Sequence, residues 1–95
     1  MNLTDKVTIP AEVMARQVGE ETVILDLASG TYFGLDPVGA RIWQLVCEGK
    51  ALEEVCESML AEYEVSRDEI EGDLSELLDA LVDKGLIQLE PASLP

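Results

Sequence analysis

The sequence predicts an α+β domain in which an N-terminal three-stranded antiparallel sheet packs on three C-terminal helices. Two patterns predict it. Runs of β-branched and aliphatic residues broken by turn residues occupy the first third of the chain, and apolar residues spaced by three and four occupy the rest. The size agrees. A chain of 95 residues that is 47% hydrophobic makes one folded domain, and at this length it buries only about 60% of its unfolded surface. Residues 1–95 are therefore read as a single domain with a core spanning about 6–89. One modest core suits a binding module better than an enzyme with a deep pocket.

The strands come first. Val13 to Val18 is a short mixed run, and Gly19-Glu20-Glu21 marks a turn. Thr22-Val23-Ile24-Leu25-Asp26-Leu27 is the strongest β run, and Ala28-Ser29-Gly30 separates it from Thr31-Tyr32-Phe33-Gly34-Leu35. Two β runs around a three-residue loop ending in Gly predict a hairpin. Alternation puts Thr31, Phe33 and Leu35 on one face of the last strand and Tyr32 and Gly34 on the other. Val7-Thr8-Ile9 reads as an extended edge piece stopped by Pro10.

Helices begin at Asp36-Pro37, an N-cap side chain followed by Pro at the first helical position. The first helix carries Val38, Ile42, Trp43, Leu45 and Val46 on its apolar side and stops at Gly49. The second, about 51–63, carries Leu52, Val55, Cys56, Met59, Leu60 and Tyr63. The third opens on Ser66 and Glu69, a Ser-x-x-Glu capping box. Its apolar positions are Ile70, Leu74, Leu77, Leu78, Leu81 and Val82, and Lys84-Gly85 closes it. Leu86 to Leu89 is a short β-like run, and 90–95 reads as a frayed tail. The order resembles a winged helix-turn-helix, a fold often found on DNA, although fold does not fix function.

Charge narrows the partners. Six Lys and Arg stand against 20 Asp and Glu, for a net charge of −14. Phosphate backbones and anionic membranes repel such a surface. A cationic or apolar partner is not opposed. The chain has no His, so Ser-His-Asp and Cys-His chemistry are excluded. Cys47 and Cys56 form no Cys-x-x-Cys pair, which removes the usual zinc and thioredoxin-like motifs. Both read as small buried apolar residues with reduced thiols. No run approaches the roughly 18 apolar residues of a membrane span, and the N-terminus lacks an apolar signal core. The expectation is a cytoplasmic protein with no cofactor, no metal and no catalytic residue. A calcium loop counted from Asp68 fails, because its third position is Ile70 and its fifth is Gly72.

Leu25-Asp26-Leu27-Ala28-Ser29-Gly30-Thr31-Tyr32-Phe33-Gly34-Leu35-Asp36, followed by Val38-Gly39-Ala40-Arg41-Ile42-Trp43, resembles the signature of PqqD-like proteins. The later Leu60-Ala61-Glu62-Tyr63-Glu64-Val65 and Leu81-Val82-Asp83-Lys84-Gly85-Leu86-Ile87 match it in order and spacing. The resemblance covers nearly the whole chain. It implies a non-catalytic peptide chaperone that captures the leader of a ribosomally made precursor peptide. The chaperone then presents the precursor to a modifying enzyme, either a leader peptidase or cyclase as in lasso-peptide pathways, or a radical SAM enzyme as in pyrroloquinoline quinone biosynthesis. One residue departs from the family pattern. Ala51 stands where a Ser or Thr usually caps the second helix, a loss of about 1 kcal/mol at that helix start.

The resemblance places the leader beside the strand holding Tyr32 and Phe33, over a groove walled by the third helix. The candidate contacts are Thr31, Tyr32, Phe33, Gly34 and Leu35 on the strand and Leu77 and Ala80 on the helix, with Asp73, Glu76 and Lys84 flanking that edge. The residues fit strand addition, because 31–35 carries no Lys or Pro to guard its edge. Phe33 is expected inward and Tyr32 on the peptide side; the plainer reading of Tyr32 is a surface aromatic packed on its neighbour strand. Gly34 reads equally as a close-approach point or as a bulge or the approach to the turn at Asp36. The third-helix stripe is wider than one seam, so it can serve the core and the groove together. The acidic residues read as a solvated face or as a steering field for a basic partner. Trp43 is expected in the core and Arg41 on a carboxylate. An exposed edge strand also allows a homodimer in the absence of leader. The alternative is a winged-helix DNA-binding regulator whose third helix enters the major groove. Asp68, Glu69, Glu71, Asp73 and Glu76 on that helix make this electrostatically poor.

Overall fold

A computed structural model describes residues 3–90. The chain runs β1 (Lys6–Thr8), β2 (Val13–Val18), β3 (Glu21–Asp26), β4 (Tyr32–Leu35), α1 (Pro37–Cys47), α2 (Leu52–Glu62), α3 (Arg67–Asp83) and β5 (Gln88–Glu90). The strands β2, β3 and β4 form the antiparallel sheet in that order. The expected edge piece does not join it: β1 pairs instead with β5, Val7 opposite Leu89, in a separate two-stranded ribbon. This ribbon ties the two ends of the domain together and sets the partly buried Val7 and Leu89 on the core. The last strand begins later than Leu86, because Leu86 and Ile87 are buried in the core before the pairing starts. The expected tail at 91–95 lies outside the described residues.

Local chemistry accounts for each boundary. Between β2 and β3, Val18 pairs with Glu21, and Gly19 takes a φ of 64° at the first position of the two-residue turn, a value a side chain would resist. Between β3 and β4, the Asp26 carboxylate accepts from the Ala28 N–H and the Ser29 hydroxyl, both at 2.9 Å. These bonds favour the charged form and hold Asp26 below the usual carboxylate range. The cap of α1 forms as the sequence predicts, and of the box predicted for α3 the Ser66 half forms. Asp36 Oδ1 accepts from Gly39 N at 2.7 Å, and Ser66 Oγ accepts from Glu69 N at 3.1 Å. At the far ends of both helices the two bonds of a Schellman motif close the last turn. Gly49 and Lys50 donate to Val46 and Leu45, and Gly85 and Leu86 donate to Val82 and Leu81. At the start of α2, Ala51 offers no cap oxygen, yet the Glu54 carboxylate accepts from Ala51 N at 3.1 Å. Half of the box has survived.

The three helices cover one face of the sheet. Ile24 and Leu35 from the strands meet Ile42, Trp43 and Leu45 of α1, Leu52, Val55 and Met59 of α2, and Leu74, Leu78 and Leu81 of α3. Two expected core positions lie outside. Cys47 is exposed at the last turn of α1, while Cys56 is buried. Val82 is exposed because a step of 100° from Leu81 carries it off the buried stripe. Arg41 meets its carboxylate: Nε and Nη2 reach Glu62 at 2.8 and 2.7 Å, a bidentate pair linking α1 to α2.

Two outcomes follow from these bonds. Ala51→Ser supplies the missing cap oxygen and raises the unfolding free energy by about 1 kcal/mol, read from urea denaturation. Arg41 holds Glu62 below its ordinary value of 4.5. A depressed carboxylate stabilises the fold above its unfolded value and loses that contribution as pH falls through its folded one. Wild type therefore loses more stability than Glu62→Gln when a pH series of urea melts passes below 4.5.

Candidate functional site

The strand β4 pairs with β3 along one edge, with Leu25 opposite Tyr32, Ile24 opposite Phe33, Val23 opposite Gly34 and Thr22 opposite Leu35. It ends the sheet, and no strand among the described residues pairs with its other edge. Antiparallel ladders alternate between residues that bond their neighbour strand and residues whose groups point away. The Asp26 N–H donates to Thr31 O at 2.8 Å, which sets the phase. Phe33 and Leu35 thus bond β3, whereas the N–H and C=O groups of Tyr32 and Gly34 point to the open edge.

Alongside that edge runs a groove of about 420 Å³. Phe33, Leu35, Val38, Ile42, Leu77 and Ala80 provide its apolar surface, and Asp36, Asp73 and Glu76 bring carboxylates to it. The α3 contribution is one helix face, since Asp73, Glu76, Leu77 and Ala80 stand at i, i+3, i+4 and i+7. Leu77 is only partly buried against the core, while Leu74, Leu78 and Leu81 on the adjoining face are fully buried. One helix therefore serves the core and the groove, as the wide stripe predicts. A second hollow of about 380 Å³ adds Glu20, Glu21 and Pro37 and shares Gly34, Leu35 and Asp36 with the first. The depression thus continues past the C-terminal end of β4.

Of the residues expected at the site, Phe33, Gly34, Leu35, Asp73, Glu76, Leu77 and Ala80 line the groove. Three do not. Thr31 is held in the hairpin loop, where its hydroxyl donates to Ser29 Oγ across 2.9 Å, since the Ser29 proton is given to Asp26. Lys84 caps the end of α3, one turn beyond Ala80. Tyr32 is 70% exposed on the sheet face turned away from the helices. It does not line this groove: the same alternation that turns Phe33 inward turns the Tyr32 side chain out, and only its backbone faces the edge. Gly34 is not a bulge, being a regular ladder residue opposite Val23. The sequence reading missed Asp36, Val38, Gly39 and Ile42 at the groove. Val38 and Ile42 are an i, i+4 pair, and they were read only as core. Asp36 was read only as a cap; one of its oxygens does cap α1, and the residue also lines the groove.

Among the described residues no group of His, Cys, Asp or Glu is arranged to hold a metal ion, and no helix is long and apolar enough to cross a membrane. On α3, Arg67 is bound by Glu71 at 2.7 Å and Glu53 at 2.6 Å. These carboxylates hold its guanidinium charged far above the ordinary range. A DNA-reading role for α3 would need that cation free.

Residues 21–87 match the family described as Coenzyme PQQ synthesis protein D (PqqD). The chain belongs to the PqqD family. No curated protein matches it. Two solved structures are similar. One, "TbiB1 in Complex with the TbiA(beta) Leader Peptide", is 46% identical, covers 85% of this chain and 94% of its own, and superposes with a TM-score of 0.78. The other, "Lasso peptide synthetase B1 complexed with the leader peptide", is 29% identical, covers 87% of this chain and 98% of its own, with a TM-score of 0.79. Both share the α+β fold seen here.

Asp36 serves both α1 and the groove, so its removal has a measurable cost. Asp36→Ala lowers the unfolding free energy by about 1 kcal/mol, checked by urea denaturation.

Proposed function

We propose that this PqqD-family chain is a non-catalytic leader-binding protein acting as a single domain with a working core of about 6–89. It captures the leader of a ribosomally made precursor peptide by adding it as a strand to β4. It then presents the precursor to a modifying enzyme in the cytoplasm. The observation that carries this reading is the open edge of β4 beside an apolar groove. An extended peptide laid there satisfies the N–H and C=O groups of Tyr32 and Gly34, and its alternate side chains enter the groove. The two similar structures, each solved with a leader peptide, support the same reading and favour a lasso-type precursor. The site residues proposed are the backbone of Tyr32 and Gly34, and the side chains of Phe33, Leu35, Asp73, Leu77 and Ala80. Asp36, Val38 and Ile42 join them. Asp73 and Glu76 favour a leader with a Lys or Arg beside its apolar anchor.

The test is calorimetry with the leader of the precursor encoded beside this chain. Binding is expected, with amide shift changes confined to 31–35 and α3. Ala80→Phe fills the groove and weakens binding at least tenfold, about 1.4 kcal/mol, while the circular dichroism melt holds. No binding, or shift changes elsewhere with 31–35 silent, sinks the reading.

A further inference from the structure

Nothing inside the domain requires a glycine at position 34. Gly34 is a regular ladder residue opposite Val23, and its φ is not positive, so its backbone is open to any residue. A Cβ added there would meet nothing within 4 Å, so no neighbour excludes a side chain. Glycine in a strand interior weakens the strand, and a β-branched residue would suit it better. The use of a glycine here therefore lies in what the strand binds. The absent side chain would stand on the sheet face turned away from the helices, since Ile24 is buried on the helix side and Val23, opposite Gly34, alternates with it. Tyr32, two residues before Gly34, stands on the same face and is 70% exposed. Val23, Tyr32 and the bare Gly34 backbone thus bound a notch that opens onto the free edge of β4.

We infer that Gly34 is a specificity residue, which admits an aromatic side chain of the guest strand and lets its ring lie flat across β4. The inference rests on strand addition to β4 and names a residue class the leader brings to that edge. The N–H and C=O groups of Gly34 point to the open edge. A guest that continues the antiparallel pattern of the sheet therefore places one residue directly opposite Gly34, with its side chain on the outer face. Opposite an ordinary residue that side chain would meet a Cβ and stand up into solvent. Opposite glycine an aromatic ring folds down over the bare backbone, the arrangement by which aromatic residues rescue edge glycines. The ring then covers the Gly34 peptide and extends toward Val23. The Tyr32 ring is its diagonal neighbour, a separation that aromatic side chains bridge. A small or charged guest residue gains none of these contacts.

The experiment is a double-mutant cycle by calorimetry. Wild type and Gly34→Val are each titrated with the leader of the precursor encoded beside this chain, and with that leader carrying Ala at each aromatic position in turn. Gly34→Val is expected to weaken the intact leader by about fivefold or more. At one aromatic position the Ala replacement weakens binding to wild type by about fivefold or more, but to Gly34→Val by less than about twofold. Because Val favours strands, Gly34→Val is also expected to hold or raise the melting temperature, so its loss of affinity does not come from a weaker strand. A lower melting temperature shows that glycine serves the fold itself and overturns the inference. Intact-leader affinity in Gly34→Val within about twofold of wild type also overturns it. So do additive losses at every aromatic position, and so does a tightly bound leader without any aromatic residue. Failure of wild type to bind the leader at all overturns the strand-addition reading instead, an outcome distinct from a missing coupling to Gly34.

Discussion

Half of the hydrogen-bonding capacity of β4 is turned away from its own sheet, and the neighbouring element on that side is a helix. A helix interior uses its backbone N–H and C=O groups internally. The α3 face can therefore supply side chains beside the edge but cannot pair with it. The chain also leaves β4 at once, because Asp36 caps α1 and Pro37 begins it. Strand, cap and helix together produce an apolar trough with one hydrogen-bonding rail. The remaining architecture holds these parts in place: α2 is clamped to α1 through Glu62 and to α3 through Arg67, and the β1–β5 ribbon closes the domain.

The charge distribution follows a division of labour. Arg41 and Arg67 sit in salt bridges that join helices, whereas Asp73 and Glu76 at the groove lack a salt bridge to any described cation. These bridges are exposed, so each contributes little to stability by itself. Their larger consequence is to withdraw cations from α3 and leave the field at the groove negative. The excess of carboxylates opposes the folded state through self-repulsion. It also sets the sign of whatever approaches.

Much of this was legible in the sequence because short-range rules govern it. Asp36-Pro37, Ser66 with Glu69, Gly49 and Gly85 each announce a helix end through a bond made within a few residues, and all four behave accordingly. The Asp73, Leu77, Ala80 face was legible because helical spacing is rigid. The parts that were not legible depend on distant partners. The sequence of β1 says that it is extended, but nothing local says that it will pair with β5 more than 70 residues on. Tyr32 and Phe33 were separable into opposite faces by alternation alone. Which face bordered the groove depended on the placement of α3, and that is set by packing. Cys47 and Val82 show the same limit, since an apolar residue at the margin of a helix stripe is buried only if a neighbouring element reaches it.

The alternation of β4 gives one short strand three separate surfaces. Phe33 and Leu35 face the groove, the backbone of Tyr32 and Gly34 faces the edge, and the Tyr32 side chain faces outward. On the proposed binding mode a guest strand inherits this alternation. Half of its side chains are read by the groove, and the other half remain displayed on the outer face. The guest residues held in the groove and those left exposed are then different residues of the same peptide. Substitutions on one face need not disturb the other. A small domain can in this way hold one side of a peptide in its groove and leave the other side of the peptide exposed on the sheet.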